Sequence, residues 1–343
     1  MLNDRRKRVL RALVREYVRS AHPVGSKTLV EEYSLECSSA TVRNDLAVLE
    51  ETGHVFQPHT SAGRVPTDLG YRAFLEDALG RPAALRVSAN VVSEVRERLR
   101  HVEAEISSLM QEASSLLSSL TRYAAIALAP TLKRSRVLRV DLVALSPSKV
   151  LVVLITNTGQ VAKRVMDLDT EVSSDGLRTI EAALNKALDG RMADEVRRAA
   201  EEVAGHGPDA ELLLGVVDTL FEMLSDSDEV SVYHGGTAAL LEEPEFSEPE
   251  MVRSLVGLLE DGLLLARAVT AADAERAVAV RIGSENEIEQ LENLSLVLAP
   301  WGGEDGGGYI GIVGPTRMEY LRAIRAVRCV ADALNESLPT IEE

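Results

Sequence analysis

Residues 38–53 read SSATVRNDLAVLEETG, and helical spacing divides them into two unlike faces. Val42, Leu46 and Leu49 recur at spacings of four and three, the stripe of a helix packed on a core. Ser39, Thr41, Arg43, Asn44 and Ala47 fall opposite, on a face that is short, polar and rich in donors. The flanking segments restrict what such a helix can belong to. Residues 4–20 form an amphipathic helix, with Val9, Leu10, Leu13, Val14, Tyr17 and Val18 in one stripe. Pro23 and Gly25 end it, and Ser26 is placed to N-cap a short helix over Lys27–Tyr33. Ser38 or Ser39 caps the third helix and Gly53 closes it. HVFQPHTSAGRVPT then predicts two extended pieces around TSAGR, with Pro58 and Pro66 limiting their pairing. Thr67 and Asp68 open a further helix through Leu79.

Three helices followed by a hairpin is the winged helix–turn–helix layout, in which the third helix enters the major groove. The polar face of 38–51 suits that role. Arg43 can hold guanine bidentately and Asn44 adenine, while Ser38, Ser39 and Thr41 suit phosphate or base contacts and Ala47 allows close approach. Arg64, flanked by Gly63, with His59 and Ser61, would form the wing, supported by Lys27, Arg5 and Arg6. The same small unit could instead bind protein, with Asn44 and Asp45 as plain solvated positions.

Charge is unevenly spread. Residues 1–30 hold eight basic side chains against two acidic ones, whereas residues 1–80 hold eleven of each. The whole net charge of −17 therefore lies in residues 81–343. A basic N-terminus ahead of an acidic body fits a protein that meets a polyanion at one end only, although a solvated basic helix face gives the same count. The N-terminus carries no signal-peptide pattern, and the apolar run VLVVLIT at 150–156 is too short for a membrane span. Cys37 and Cys329 form no CxxC and read as reduced thiols of a cytoplasmic protein.

Beyond residue 80, Val92, Val95, Leu99, Val102, Ile106, Leu109, Ala113, Leu116 and Leu120 alternate spacings of three and four, a heptad pattern. It predicts one long helix, paired either with its copy in a homodimer or with the chain's own sheet or helices. From 136 the period becomes two: VLRVDLVALS, KVLVVLITNTGQ and VAKRVMDL predict three strands. Residues 170–228 read as helical, and strand patterns return at EVSVYHGG, AVAVRIGSE, LSLVLAPW and YIGIVGP before a closing helix over 318–337. The expected class is α+β and multidomain: 1–80 a DNA-binding unit, 81–169 a linker helix and the first part of a sheet domain, 170–228 a helical insertion, 229–343 the second part.

No active site can be assembled. The six histidines, at 22, 54, 59, 101, 206 and 234, have no cysteine or paired carboxylate at metal-ligand spacing. GGEDGGG at 302–308 lacks the Lys and Ser/Thr of a phosphate loop, and GxSxG and HExxH are missing. We expect no enzyme, no metal and no cofactor.

PVGSKTLVEEY, SSATVRNDLAVLEETGHVFQPHTSAGRVPTDLGYRAFLE, GGTAALLEEPEF and YIGIVGPTRMEYLRAIRAVRCVADALNESL resemble, in order and over essentially the whole chain, the signature blocks of the heat-inducible transcription repressor HrcA family. The resemblance implies a winged helix, a GAF-like domain and a dimerising insertion within it. It implies a dimer bound to an inverted-repeat operator ahead of chaperone genes, kept active by the chaperonin and released on heat stress. Carried over, the recognition block lands on Ser38–Glu51 and the wing block on Gln57–Thr67. A winged-helix regulator with a small effector in the sheet domain is the alternative reading.

Overall fold

Four helices and a two-stranded ribbon occupy the first 79 residues in the computed structural model: α1 Asp4–Ser20, α2 Ser26–Tyr33, α3 Ser39–Glu51, β1 Val55–Phe56, β2 Val65–Pro66 and α4 Asp68–Leu79. The structure describes residues 2–343 apart from 82–84, 103–105, 130–131, 133–134, 169–171, 193–194, 197, 200–209, 226–230, 241–242, 261–277, 303–306 and 338–343. Local chemistry sets the N-terminal boundaries. The Asn3 side chain accepts from the Arg6 amide, Ser38 from Thr41 and Thr67 from Gly70, so the first turns of α1, α3 and α4 are satisfied. The expected cap at Ser26 is not used: Gly25 occupies that position and makes no side-chain bond. Val9, Leu10, Leu13, Leu29, Val42 and Leu49 meet in one core with under 3% of their surface exposed.

The ribbon gains a third member from the chain between α1 and α2. Val24 and Arg64 exchange backbone bonds, Val24 N to Arg64 O at 2.9 Å and Arg64 N to Val24 O at 2.8 Å. Gly63 makes this approach possible, because a Cβ there would collide with the Val24 backbone.

The body holds α5 Ala89–Arg100, α6 Ile106–Thr121, β3 Ala124–Leu128, β4 Val137–Ser146, β5 Lys149–Thr156, β6 Val161–Asp167, α7 Ser174–Leu188, α8 Ala210–Ser225, β7 Val232–Gly235, α9 Thr237–Leu240, α10 Pro249–Glu260, β8 Ala279–Ile282, β9 Leu294–Trp301, β10 Gly308–Pro315 and α11 Tyr320–Ser337. The main sheet is antiparallel in the order β7-β3-β10-β9-β8. Helix α11 packs on β9 and β10, and α6 on β3 and β7. The core of this sheet is continuous with that of the N-terminal unit.

Two expectations change. The heptad is divided between α5, which ends at Arg100, and α6, and both halves are used inside the chain. Val95 and Leu99 are buried where α5 packs on α11, and Ala113 and Leu116 where α6 packs on the sheet. The seam was real but its partners belong to the same chain, which a repeat alone does not specify. Second, β4, β5 and β6 do not join the main sheet. They form their own antiparallel sheet and share a separate core with α7 and α8, in which Val140, Val152, Leu154, Leu184, Val216 and Leu220 are fully buried. The insertion therefore begins before β4, not at residue 170, and contains a sheet as well as helices. It leaves the main sheet between β3 and β7, which pair directly from Ala125–Gly235 to Leu128–Val232. The expected helix over 192–205 lies largely outside the described residues.

Candidate nucleic-acid interface

Helix α3 presents the face that its spacing predicts. Val42, Leu46 and Leu49 are buried, while Ser39, Arg43, Asn44 and Ala47 are exposed. Arg43 and Asn44 make no side-chain hydrogen bond or ion pair among the described residues, so their donors face solvent. Ser38 and Thr41 are engaged with each other across the first turn, Oγ to Oγ1 at 2.9 Å, with Ser38 also accepting from the Thr41 amide at 3.1 Å. The cap that starts the helix thus holds two of the expected contact residues in place.

Asp45 is not a solvated position. It lies on the inner side of α3 with 2% of its surface exposed. Arg5 donates to it through Nε at 2.6 Å and Nη2 at 3.0 Å, and Arg6 Nε lies 3.4 Å away. The Arg5 hydrogen bond holds the Asp45 carboxyl below its ordinary range against the opposing effect of burial. Arg5 and Arg6, expected as supporting contacts to DNA, are thereby committed to fixing α3 against α1. The sequence offers Asp45 only as a solvated position, because nothing local names its partner forty residues earlier.

The hairpin also departs from expectation. Its tip, with exposed His59 and Ser61, is closed by Gln57 Nε2 donating to Thr60 O at 3.0 Å and Ala62 O at 2.8 Å. Arg64 is not at that tip. It sits at the base, bridged to Val24, and its Nη2 meets Glu50 of α3 at 2.8 Å. Gly63 lies against Val24 beside it. Arg64 therefore braces the C-terminal half of α3. Lys27 is 84% exposed, 3.7 Å from Glu31.

The unit is bound to the main sheet by three sets of contacts that the sequence did not reveal. Arg317, 8% exposed, donates to Glu245 at 2.5 Å, to Glu243 at 2.6 Å and to the Val18 carbonyl of α1 at 2.8 Å. Arg72 of α4 pairs with Glu285 and donates to the Val280 carbonyl at 2.8 Å. Tyr71 of α4 stacks at a tilt on Tyr320 of α11, centroids 5.5 Å apart, and Tyr320 is hydrogen-bonded to Ser295 at 2.8 Å. The contacts that cross to the N-terminal unit, Arg317 to Val18, Arg72 to Glu285 and Val280, and Tyr71 to Tyr320, join residues more than two hundred positions apart in sequence.

Among the described residues no group of three or more His, Cys, Asp or Glu could hold a metal ion, and no helix is long and apolar enough to cross a membrane.

Comparison with known proteins converges on one family. The sequence model of the HrcA protein C terminal domain matches residues 107–324. The chain is similar to heat-inducible transcription repressors HrcA of Nocardia farcinica, 38% identical over 98% of this chain and 96% of that one, and of Moorella thermoacetica, 37% identical over 98% of each. The repressor of Thermobifida fusca is 39% identical over 98% of this chain and 97% of its own. A crystal structure of a hypothetical protein matches all of both chains at 26% identity with a TM-score of 0.67. The chain belongs to the heat-inducible transcription repressor HrcA family.

Proposed function

We propose that the chain represses transcription as a winged helix–turn–helix protein, seating α3 in the major groove of duplex DNA, with one α3 from each of two copies on the halves of an inverted repeat. The observation that carries this reading is the unpartnered face of α3, where Arg43 and Asn44 stand exposed over a buried Val42–Leu46–Leu49 stripe. Arg43 reads guanine and Asn44 adenine, with Ala47 admitting the base edges. Ser38, Ser39 and Thr41 meet phosphate at the helix start, and the hairpin tip at His59 and Ser61 lies over the neighbouring backbone, with Lys27 as a further cation. Arg5, Arg6, Gly63 and Arg64 act from behind, by holding α3 and the hairpin in position.

Self-association runs through the insertion's sheet. On the side away from α7 and α8, Val143, Leu145, Val161 and Val165 are exposed by 47%, 54%, 62% and 48%. Val143 pairs with Leu151, and Leu151 with Val165, so these side chains share one face. An uncovered aliphatic stripe marks an interaction surface, and a single patch meeting its own copy fits a two-fold dimer. In this reading the main sheet with α5, α6 and α11 is the GAF-like domain. The family resemblance extends it to a cytoplasmic operator ahead of chaperone genes and to a chaperonin that keeps the repressor active.

The test is DNA binding by Arg43→Ala and Asn44→Ala on a duplex bearing the inverted repeat and on a scrambled duplex. Each variant should lose about 1–3 kcal/mol on the repeat and little on the scrambled duplex. Equal losses on both would remove α3 as the reading element.

A further inference from the structure

A cleft of about 580 Å³ opens between α1 of the N-terminal unit and the start of α11 on the main sheet. Its lining mixes apolar side chains, Val18, Phe74 and Leu321, with the cationic Arg15, Arg122 and Arg325. These three arginines make no ion pair with the described residues, in contrast with Arg317 beside them, which Glu243 and Glu245 neutralise. The acidic groups at the cleft do not offset them: Glu243 is committed to Arg317, and Glu319 lies 3.6 Å from Arg322. In a chain of net charge −17, three arginines without an ion pair among the described residues line one concave site, Arg325 held there by its Nε donating to the Leu321 carbonyl at 3.0 Å.

Arg122 adds an independent observation. It follows the last turn of α6 at φ +67°, the left-handed conformation that usually falls to glycine at a helix end. An arginine there is held in an unfavoured backbone state beside the cleft, the conformation that Ala21 and Ser34 take after α1 and α2.

We propose that this cleft binds a nucleoside polyphosphate. Planar guanidinium groups grip phosphate oxygens bidentately, three of them match a polyphosphate chain, and Val18, Phe74 and Leu321 in the same lining suit the base. The volume lies within the range of small-molecule pockets. The site is distinct from the reading face of α3: Arg15 stands ten residues beyond Arg5, about 15 Å further along α1 from the Asp45 contact. Because its walls belong to the DNA-binding unit and to the main sheet, a bound nucleotide bridges the two.

Calorimetric titration of the full chain with ATP, tripolyphosphate and adenosine tests this. ATP should bind, tripolyphosphate should bind more weakly, and adenosine should not bind measurably. Arg15→Gln and Arg325→Gln, both outside the core, should each weaken ATP about tenfold or more. Arg122→Gly should weaken ATP while maintaining or raising the melting temperature of the unliganded chain, since glycine relieves the strain; a purely structural arginine would give no such combination. No heat with ATP or tripolyphosphate up to millimolar concentration, or unchanged binding in the Arg15→Gln, Arg325→Gln double variant, would overturn the proposal. Tripolyphosphate binding as tightly as ATP would overturn its nucleoside component. Arg43→Ala should leave ATP binding intact, so failure here and failure of the operator reading are separable.

Discussion

Asp45 of α3 and Arg5 of α1 form a two-bond ion pair, at 2.6 and 3.0 Å, on the inner side of the helix whose outer side carries Arg43 and Asn44. The pair joins the first turn of α1 to the middle of α3.

Replacing Asp45 with Ala should cost about 1–2 kcal/mol of stability. Hydrogen bonds to charged groups are stronger than neutral ones, but Arg5 is half exposed and its partner can be replaced by water. The pH dependence follows from the direction of the shift. The folded-state pKa lies below the unfolded value of about 3.9, so the contribution is complete above that pH and is lost as pH falls through the folded pKa. Chemical denaturation of wild type and Asp45→Ala at pH 7, then through the acid range, should show the difference shrinking below about pH 4.

Gly63→Ala should disrupt the hairpin. The added methyl meets the Val24 backbone, which cannot move aside as a flexible side chain could. Urea unfolding should register a loss of about 2 kcal/mol or more, whereas Gly159→Ala is strained only by its positive φ, because nothing lies within 4 Å of the new Cβ. Equal, small effects would mean that the Val24–Arg64 bridge is not a fixed part of the unit.

Arg317→Ala removes one cation from two carboxylates and from the Val18 carbonyl, at a site almost shut off from water. A loss of about 3 kcal/mol is expected, the scale for breaking a buried ion pair by deleting one partner. Calorimetry should show the transition at a lower midpoint, still cooperative because Arg72–Glu285, Tyr71–Tyr320 and the shared core go on joining the two units. An unchanged midpoint would contradict this.

The N-terminal elements were legible because capping residues and apolar spacing act over a few positions. Ser38, Thr67 and the Val42–Leu46–Leu49 stripe placed α3 and α4 from sequence alone. The tertiary roles were not legible. Asp45, Arg64 and Arg317 find partners at separations of 40, 14 and 72 residues, and no local rule names them. Strand β3, AAIAL, leaves little signal in the sequence because alanine has weak strand preference and all five residues are buried, with no alternation to detect. The heptad was visible, but the division at Arg100 and the intrachain partners depend on where α11 lies.

That division separates the effect of a heptad variant from that of a variant on the insertion's outer sheet face. Leu99→Asp should destabilise the monomer, since Leu99 is 1% exposed against α11. Val161→Asp with Val165→Asp should leave the fold intact and halve the mass in light scattering, since both are exposed on the insertion's outer sheet face. A dimer that survives the double variant would move the interface elsewhere.

Fluorescence anisotropy on three labelled duplexes, one with the inverted repeat, one with a single half-site and one scrambled, across a salt series, is the direct test of operator reading by paired α3 helices. Operator reading predicts tight binding that needs both half-sites, loses about 1–3 kcal/mol with Arg43→Ala and retains preference for the repeat as salt rises. Weak binding, equal on all three duplexes and lost steeply with salt, would mean phosphate attraction alone and would contradict it.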